Sequence, residues 1–154
     1  MAYRIETVMV RNSPMEVFMF MPAGKGPHAG IVLCQHIPVG HTGVENDTVT
    51  LATAERYCEN GYAVAVPFIF HWWEKTDEMQ VKRDEFRDDW TELDLKAAFD
   101  LLAKQPGVDA KRIAVIGHCW AGHSFSTATF RFQSKRSCQW PDHYASNFRM
   151  RFIM

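Results

Sequence analysis

A chain of 154 residues with 47% apolar and 13% aromatic content is long enough for one domain with a substantial core, and no second folded domain is expected. Its 17 basic residues nearly cancel its 18 acidic ones, so nothing in the balance points to a nucleic-acid or membrane-surface partner. The opening Met-Ala-Tyr-Arg-Ile-Glu lacks a basic and apolar leader pattern, no run approaches the roughly 18 apolar residues of a membrane span, and the four cysteines form no CxxC pair. A cytoplasmic protein with free thiols is the resulting expectation.

In chain order, Tyr3 to Val10 and Met15 to Met21 alternate as strands, and Arg11-Asn12-Ser13-Pro14 reads as the turn of an antiparallel hairpin. Ala29 to Cys34 is a short continuous apolar run, the pattern of an inner parallel strand. It leads into the loop Gln35 to Gly43. Asn46 or Asp47 can cap a helix through Leu51, Ala52, Ala54 and Tyr57 that Asn60-Gly61 ends. Tyr62 to Pro67 is another inner strand. The aromatic run Phe68-Ile69-Phe70-His71-Trp72-Trp73 either packs a loop onto the core or lines a pocket, and position alone leaves both open. Glu74 to Asp89 is highly charged with some helix. From Trp90, the residues Leu93, Ala97 and Leu101, with Ala98 and Leu102, fall on one helical face, and Lys104-Gln105-Pro106-Gly107 stops it. Cys34 and Cys58 read as buried small apolar residues.

Arg112 to Ile116 is a buried strand that runs into Gly117-His118-Cys119-Trp120-Ala121-Gly122. A nucleophile elbow needs such a pattern: the reactive residue sits on a tight strand-to-helix turn, and small neighbours such as Gly117 and Gly122 keep Cβ atoms apart. Cys119 is the candidate nucleophile, and unpaired N–H groups at a helix start would favour its thiolate. Strand, helix, strand, helix, strand and elbow after a hairpin make an α/β protein with a mostly parallel sheet. Ligands in such sheets bind at the carboxyl ends of the strands, where the elbow and the loop Gln35 to Gly43 both lie.

These residues resemble the dienelactone hydrolase family of α/β-hydrolases, over about residues 5 to 122. The segments GPHAGIVLCQHIPVG, GYAVAVPFIF and DLKAAFDLLAKQP carry the resemblance, and GHCWAG most specifically, because a cysteine elbow separates the family from serine hydrolases of the same fold. The resemblance implies Cys119 as nucleophile and the backbone N–H groups of Ile37 and Trp120 as oxyanion hole, each donor contributing roughly 3 to 4 kcal/mol. It implies hydrolysis of a small ester or lactone through an acyl-thioester, without metal or cofactor. Three departures stand out. Ala121 replaces a usual glycine, and His36 stands where a glutamate usually contacts the resting cysteine. The substrate-carboxylate arginines have no firm counterpart among Lys82, Arg83 and Arg87, a stretch that otherwise reads as a solvated charged face.

Residues 1–122 carry 17 acids and 12 bases, whereas residues 123–154 carry one acid, five bases, and no Leu, Val, Glu or Gly. A segment folded after a buried strand normally supplies those residues for its core and turns. The expectation is a partial α/β-hydrolase domain over 1–122 lacking its C-terminal strands, and an atypical tail over 123–154 that is poorly ordered or out of frame. Such an elbow strand left at a sheet edge would favour aggregation. Family members place the triad acid and then the histidine on separate loops downstream. Here only the adjacent Asp142-His143 follow in that order, and neighbours in sequence cannot take up the acid-orients-base geometry. An inactive or very weak hydrolase follows. Two alternatives remain: a non-enzymatic thiol, redox or interaction module, and a zinc site from His118, Cys119 and His123 with His36 and His41, whose ligand types suit zinc but whose spacing fixes no common point.

Overall fold

The structure is a computed structural model that describes residues 3–35 and 43–117. Strands β1 (Arg4–Val10) and β2 (Ser13–Phe20) form the expected hairpin, in register from Arg4 opposite Met19 to Val10 opposite Ser13. Its turn is tighter than the sequence suggests. Arg11, in the left-handed region at φ 52°, and Asn12 alone connect the strands, while Ser13 and Pro14 belong to β2. A two-residue connection closes on a hydrogen-bonded pair, so the next pair, Met9 with Pro14, is a non-bonded one. The missing proline N–H therefore costs no bond to β1. On its other side β2 pairs β4 only from Val17 onward.

Strands β3 (His28–Cys34), β4 (Ala63–Pro67) and β5 (Val108–Gly117) complete one sheet in the order β1-β2-β4-β3-β5. β3 runs parallel to both β4 and β5, and β2 runs antiparallel to β4. β5 begins five residues earlier than its apolar run, which starts at Ile113, because His28 pairs with Val108 before a register shift brings Gly30 opposite Ile113. The intervening Ala110, Lys111 and Arg112 are exposed, which an irregular strand start at a sheet edge tolerates.

Helix α1 (Thr48–Glu59) starts where expected, with the Asp47 carboxylate accepting from Thr50 N at 2.9 Å, and ends before Gly61 at φ 88°. The chain steps from β3 to β4 in one direction and from β4 back across β3 to β5 in the other. Right-handed crossovers therefore put α1 and the long helix α3 (Asp88–Ala103) on opposite faces. A six-residue helix α2 (Met79–Asp84) lies within the charged segment.

The buried face of α3 differs from the sequence expectation. Thr91, Asp94, Leu95, Ala98 and Leu102 are buried, whereas Leu93, Ala97 and Leu101 are only half-buried. The helix is rotated because Asp94 reaches the segment after β4, a polar attraction that hydrophobic periodicity does not register. The core includes Met15 and Val17 to Phe20 of β2, Ile31 to Cys34 of β3, all of β4, Phe68 to Phe70 after it, Ile113 and Val115 of β5, and the buried apolar residues of α1 and α3 that cover them. Each fully buried Phe or Leu side chain contributes about 1.5–3 kcal/mol on the transfer scale. Among the described residues, no helix is long and apolar enough to cross a membrane.

Candidate active site

The parallel pairing of β3 and β5 brings Cys34 opposite Gly117. The last described residues of the two segments, Cys34–Gln35 and Gly117, thus end side by side at the sheet's carboxyl edge. Gly117 closes β5 as expected. Cys119, Trp120, Gly122, Ile37 and His36 lie outside the described residues, as do His41, His118, His123, Asp142 and His143.

At this edge Cys34 is fully buried, as expected. Burial pushes its thiol well above the ordinary thiol range; the Asp94 carboxylate adds to this, and a backbone hydrogen bond involving Gln35 opposes it. Cys34 is therefore a packing residue rather than a nucleophile. Cys58 is only half-buried at the end of α1, so the expectation of full burial fails there. Gln35, the last residue described after β3, is completely buried, and neither end of its amide finds a partner among the described residues.

The aromatic run divides between its two readings. Phe68, Ile69 and Phe70 are core, while Trp72 and Trp73 are half-buried and stack with Trp90 at centroid distances of 4.8 and 5.7 Å. What holds this segment is not legible in the sequence. His71 Nε2 lies 2.9 Å from Asp94 Oδ1, Trp72 Nε1 donates to Asp94 Oδ2 at 3.0 Å, and His71 Nδ1 lies 2.8 Å from Ser13 Oγ. The His71 and Asp94 side chains are 2% and 0% exposed. Burial raises the Asp94 carboxyl above the usual carboxylate range, against the hydrogen bonds and charge of His71 and the Trp72 bond, which lower it. The one signal in the sequence was an acid interrupting the apolar face of α3, and it carried no hint of its partners.

Ser13 and His71 border an open groove of about 810 Å³, with Phe68 and Trp73 among its walls. Lys75 Nζ closes one side by bonding Glu16 at 2.9 Å and Glu45 at 3.0 Å, and it sits 5.4 Å from the Phe68 ring centroid. The charged stretch is solvated at Arg83 and Arg87, but Lys82 is buried and donates to Lys75 O at 3.1 Å, an exception to the expected solvated face. Burial lowers the Lys82 pKa, partly offset by Asp77 and Glu74. Arg87 is held by Asp89 through two bonds of 3.0 Å and lies over the Trp90 ring. Among the described residues, no group of three or more His, Cys, Asp or Glu side chains is placed to hold a metal ion.

The model of the dienelactone hydrolase family matches residues 15–137. That span includes the first fifteen residues of the compositionally unusual tail. No curated protein is significantly similar to the chain. Among solved structures, a dienelactone hydrolase-like promiscuous phosphotriesterase from metagenomic libraries superposes with a TM-score of 0.63 at 21% identity, covering 80% of this chain and 51% of its own. Est1E from Butyrivibrio proteoclasticus gives 0.59 at 15% identity over 84% and 46% of the two chains. An α/β serine hydrolase homologue from Coxiella burnetii gives 0.61 at 16% over 85% and 59%. The chain spans about half the length of these structures. They share its fold, a partial α/β-hydrolase sheet, and with the family match over most of its length the chain belongs to the dienelactone hydrolase family.

Proposed function

We propose that this chain is a hydrolase of small carboxylic esters or lactones in which Cys119 is the nucleophile and the backbone N–H groups of Ile37 and Trp120 stabilise the developing oxyanion. The pairing of Cys34 with Gly117 supports this reading most directly. Ile37 lies three residues beyond Cys34 and Cys119 two residues beyond Gly117, so nucleophile and oxyanion donor depart from neighbouring points on adjacent strands. In the reaction, Cys119 Sγ attacks the carbonyl carbon, the bond to the leaving oxygen breaks, and water hydrolyses the thioester. His36 occupies the sequence position where the family usually has a glutamate, so control of the thiol would differ.

His71 does not supply a base for Cys119, because Ser13 and Asp94 occupy both of its ring nitrogens. Within residues 120–154 the acid followed by a histidine is the adjacent pair Asp142-His143, whose spacing does not suit an acid that orients a base. Acylation is therefore expected to outrun deacylation, with very low turnover. No metal or cofactor takes part in these steps, and the protein is read as cytoplasmic with a small-molecule substrate. The test compares hydrolysis of p-nitrophenyl acetate and of a simple aryl lactone by a Ser13→Ala chain and by the same chain carrying Cys119→Ala as well, so that only the thiol differs. We expect slow, Cys119-dependent release, reduced at least tenfold by Cys119→Ala; equal rates would overturn the assignment.

A further inference from the structure

The groove beside the β1–β2 turn is bordered by a serine, a histidine and, behind them, a buried carboxylate, none of which the elbow chemistry uses. We propose that Ser13, His71 and Asp94 form a second acyl-accepting centre, independent of Cys119, for small uncharged aryl or alkyl esters. The chain of contacts is continuous: Ser13 Oγ is 2.8 Å from His71 Nδ1, and His71 Nε2 is 2.9 Å from Asp94 Oδ1. Nucleophile bonded to base, and base bonded to an orienting acid, is the geometric requirement for an activated hydroxyl.

The carboxylate sets the tautomer. An ionised Asp94 only accepts, taking Trp72 Nε1–H at one oxygen and His71 Nε2–H at the other, which leaves Nδ1 as the acceptor facing Ser13. The Ser13 hydroxyl also lies 2.9 Å from His71 O, so rotation about its Cβ–Oγ bond switches the resting proton between that carbonyl and Nδ1. Burial of the His71 and Asp94 side chains holds the pair in one geometry, while Ser13 is half-buried at the groove wall.

In the acylation step Ser13 Oγ forms a bond to the ester carbonyl carbon as its proton passes to Nδ1. The carbon–oxygen bond to the leaving group breaks, and the leaving alkoxide takes that proton. Water, deprotonated by the same nitrogen, then bonds to the acyl carbon, the bond from that carbon to Ser13 Oγ breaks, and Oγ takes the proton back from Nδ1 as the acid leaves. The groove walls select the substrate. Phe68, Trp72 and Trp73 offer aromatic surface; the Lys75 ammonium on the same wall is already paired with Glu16 and Glu45, and Glu74 and Asp77 add negative charge, so an uncharged ester suits the groove better than a carboxylate-bearing one.

The test treats the full chain with an alkyl fluorophosphonate and locates the adduct by peptide mass spectrometry. Phosphonylation forms an Oγ–P bond and expels fluoride, with the proton again taken by His71. The expected result is a Ser13 adduct in the folded wild-type and Cys119→Ala chains alike, formed at least tenfold more slowly after unfolding in urea and in a folded Asp94→Asn variant. An unmodified Ser13 in the folded chain would overturn the proposal, as would labelling equally fast in urea. Because Cys119→Ala keeps the Ser13 site, failure of the elbow assignment and failure of this one give separate results.

Discussion

At the scale of single residues, the thiols divide sharply by environment. Cys34 is sealed under the sheet, and its thiol is pushed above the ordinary value near 9 by burial first and by Asp94 second. Iodoacetamide at pH 8 is therefore expected to alkylate Cys34 only after unfolding, as peptide mapping would show. The same shift has a stability consequence. A group whose folded pKa is raised contributes fully below its unfolded pKa, and that contribution is lost as pH rises through the folded value. Above pH 9, stability should thus fall by up to about 1.4 kcal/mol per pH unit more steeply in the wild type than in Cys34→Ala. Parallel slopes in urea titrations across that range would contradict it. The burial of Cys34 was legible in the sequence because it ends a continuous apolar run. The Ser13–His71–Asp94 chain was not: its members are 58 and 23 residues apart, and only the folded sheet brings them together.

At the scale of elements, the order of strands and helices followed from apolar runs and caps, while their edges followed from tertiary pairing. The hairpin turn shrank to Arg11-Asn12 because strand register, not turn composition, decides where a ladder closes. The α3 face shifted because a buried hydrogen-bonded acid outweighs one apolar contact. The meeting of β3, α3 and β5 is the tightest of these contacts. A Cβ on Gly30 would stand 2.9 Å from Ile113 Cγ1 and 3.0 Å from Leu102 Cδ2, closer than packed carbons tolerate. Gly30→Ala should cost about 1–3 kcal/mol by chemical denaturation, since both neighbours must give way. A change near zero would mean that the sheet and helix approach less closely than this.

At the scale of the molecule, the two proposed centres belong to segments that leave one sheet edge. The carboxyl ends of β3 and β5 direct their chains outward from adjacent points, and the end of β4 turns at once into the aromatic segment that holds His71. Family membership and the α/β fold were readable from four short motifs, because two combine a buried strand with the segment that leaves it, one is the amphipathic α3 and one follows the end of β5. The proposed roles of Cys119, Ile37 and Trp120 are argued from those motifs and from strand register together. The most direct test is to mix the full chain with p-nitrophenyl acetate, quench it in acid and map the peptides. A Cys119 nucleophile predicts an acetyl group on Cys119, removed by neutral hydroxylamine as a thioester is, whether or not Ser13 is acetylated as well. Acetylation that spares Cys119 while p-nitrophenol is released would contradict it.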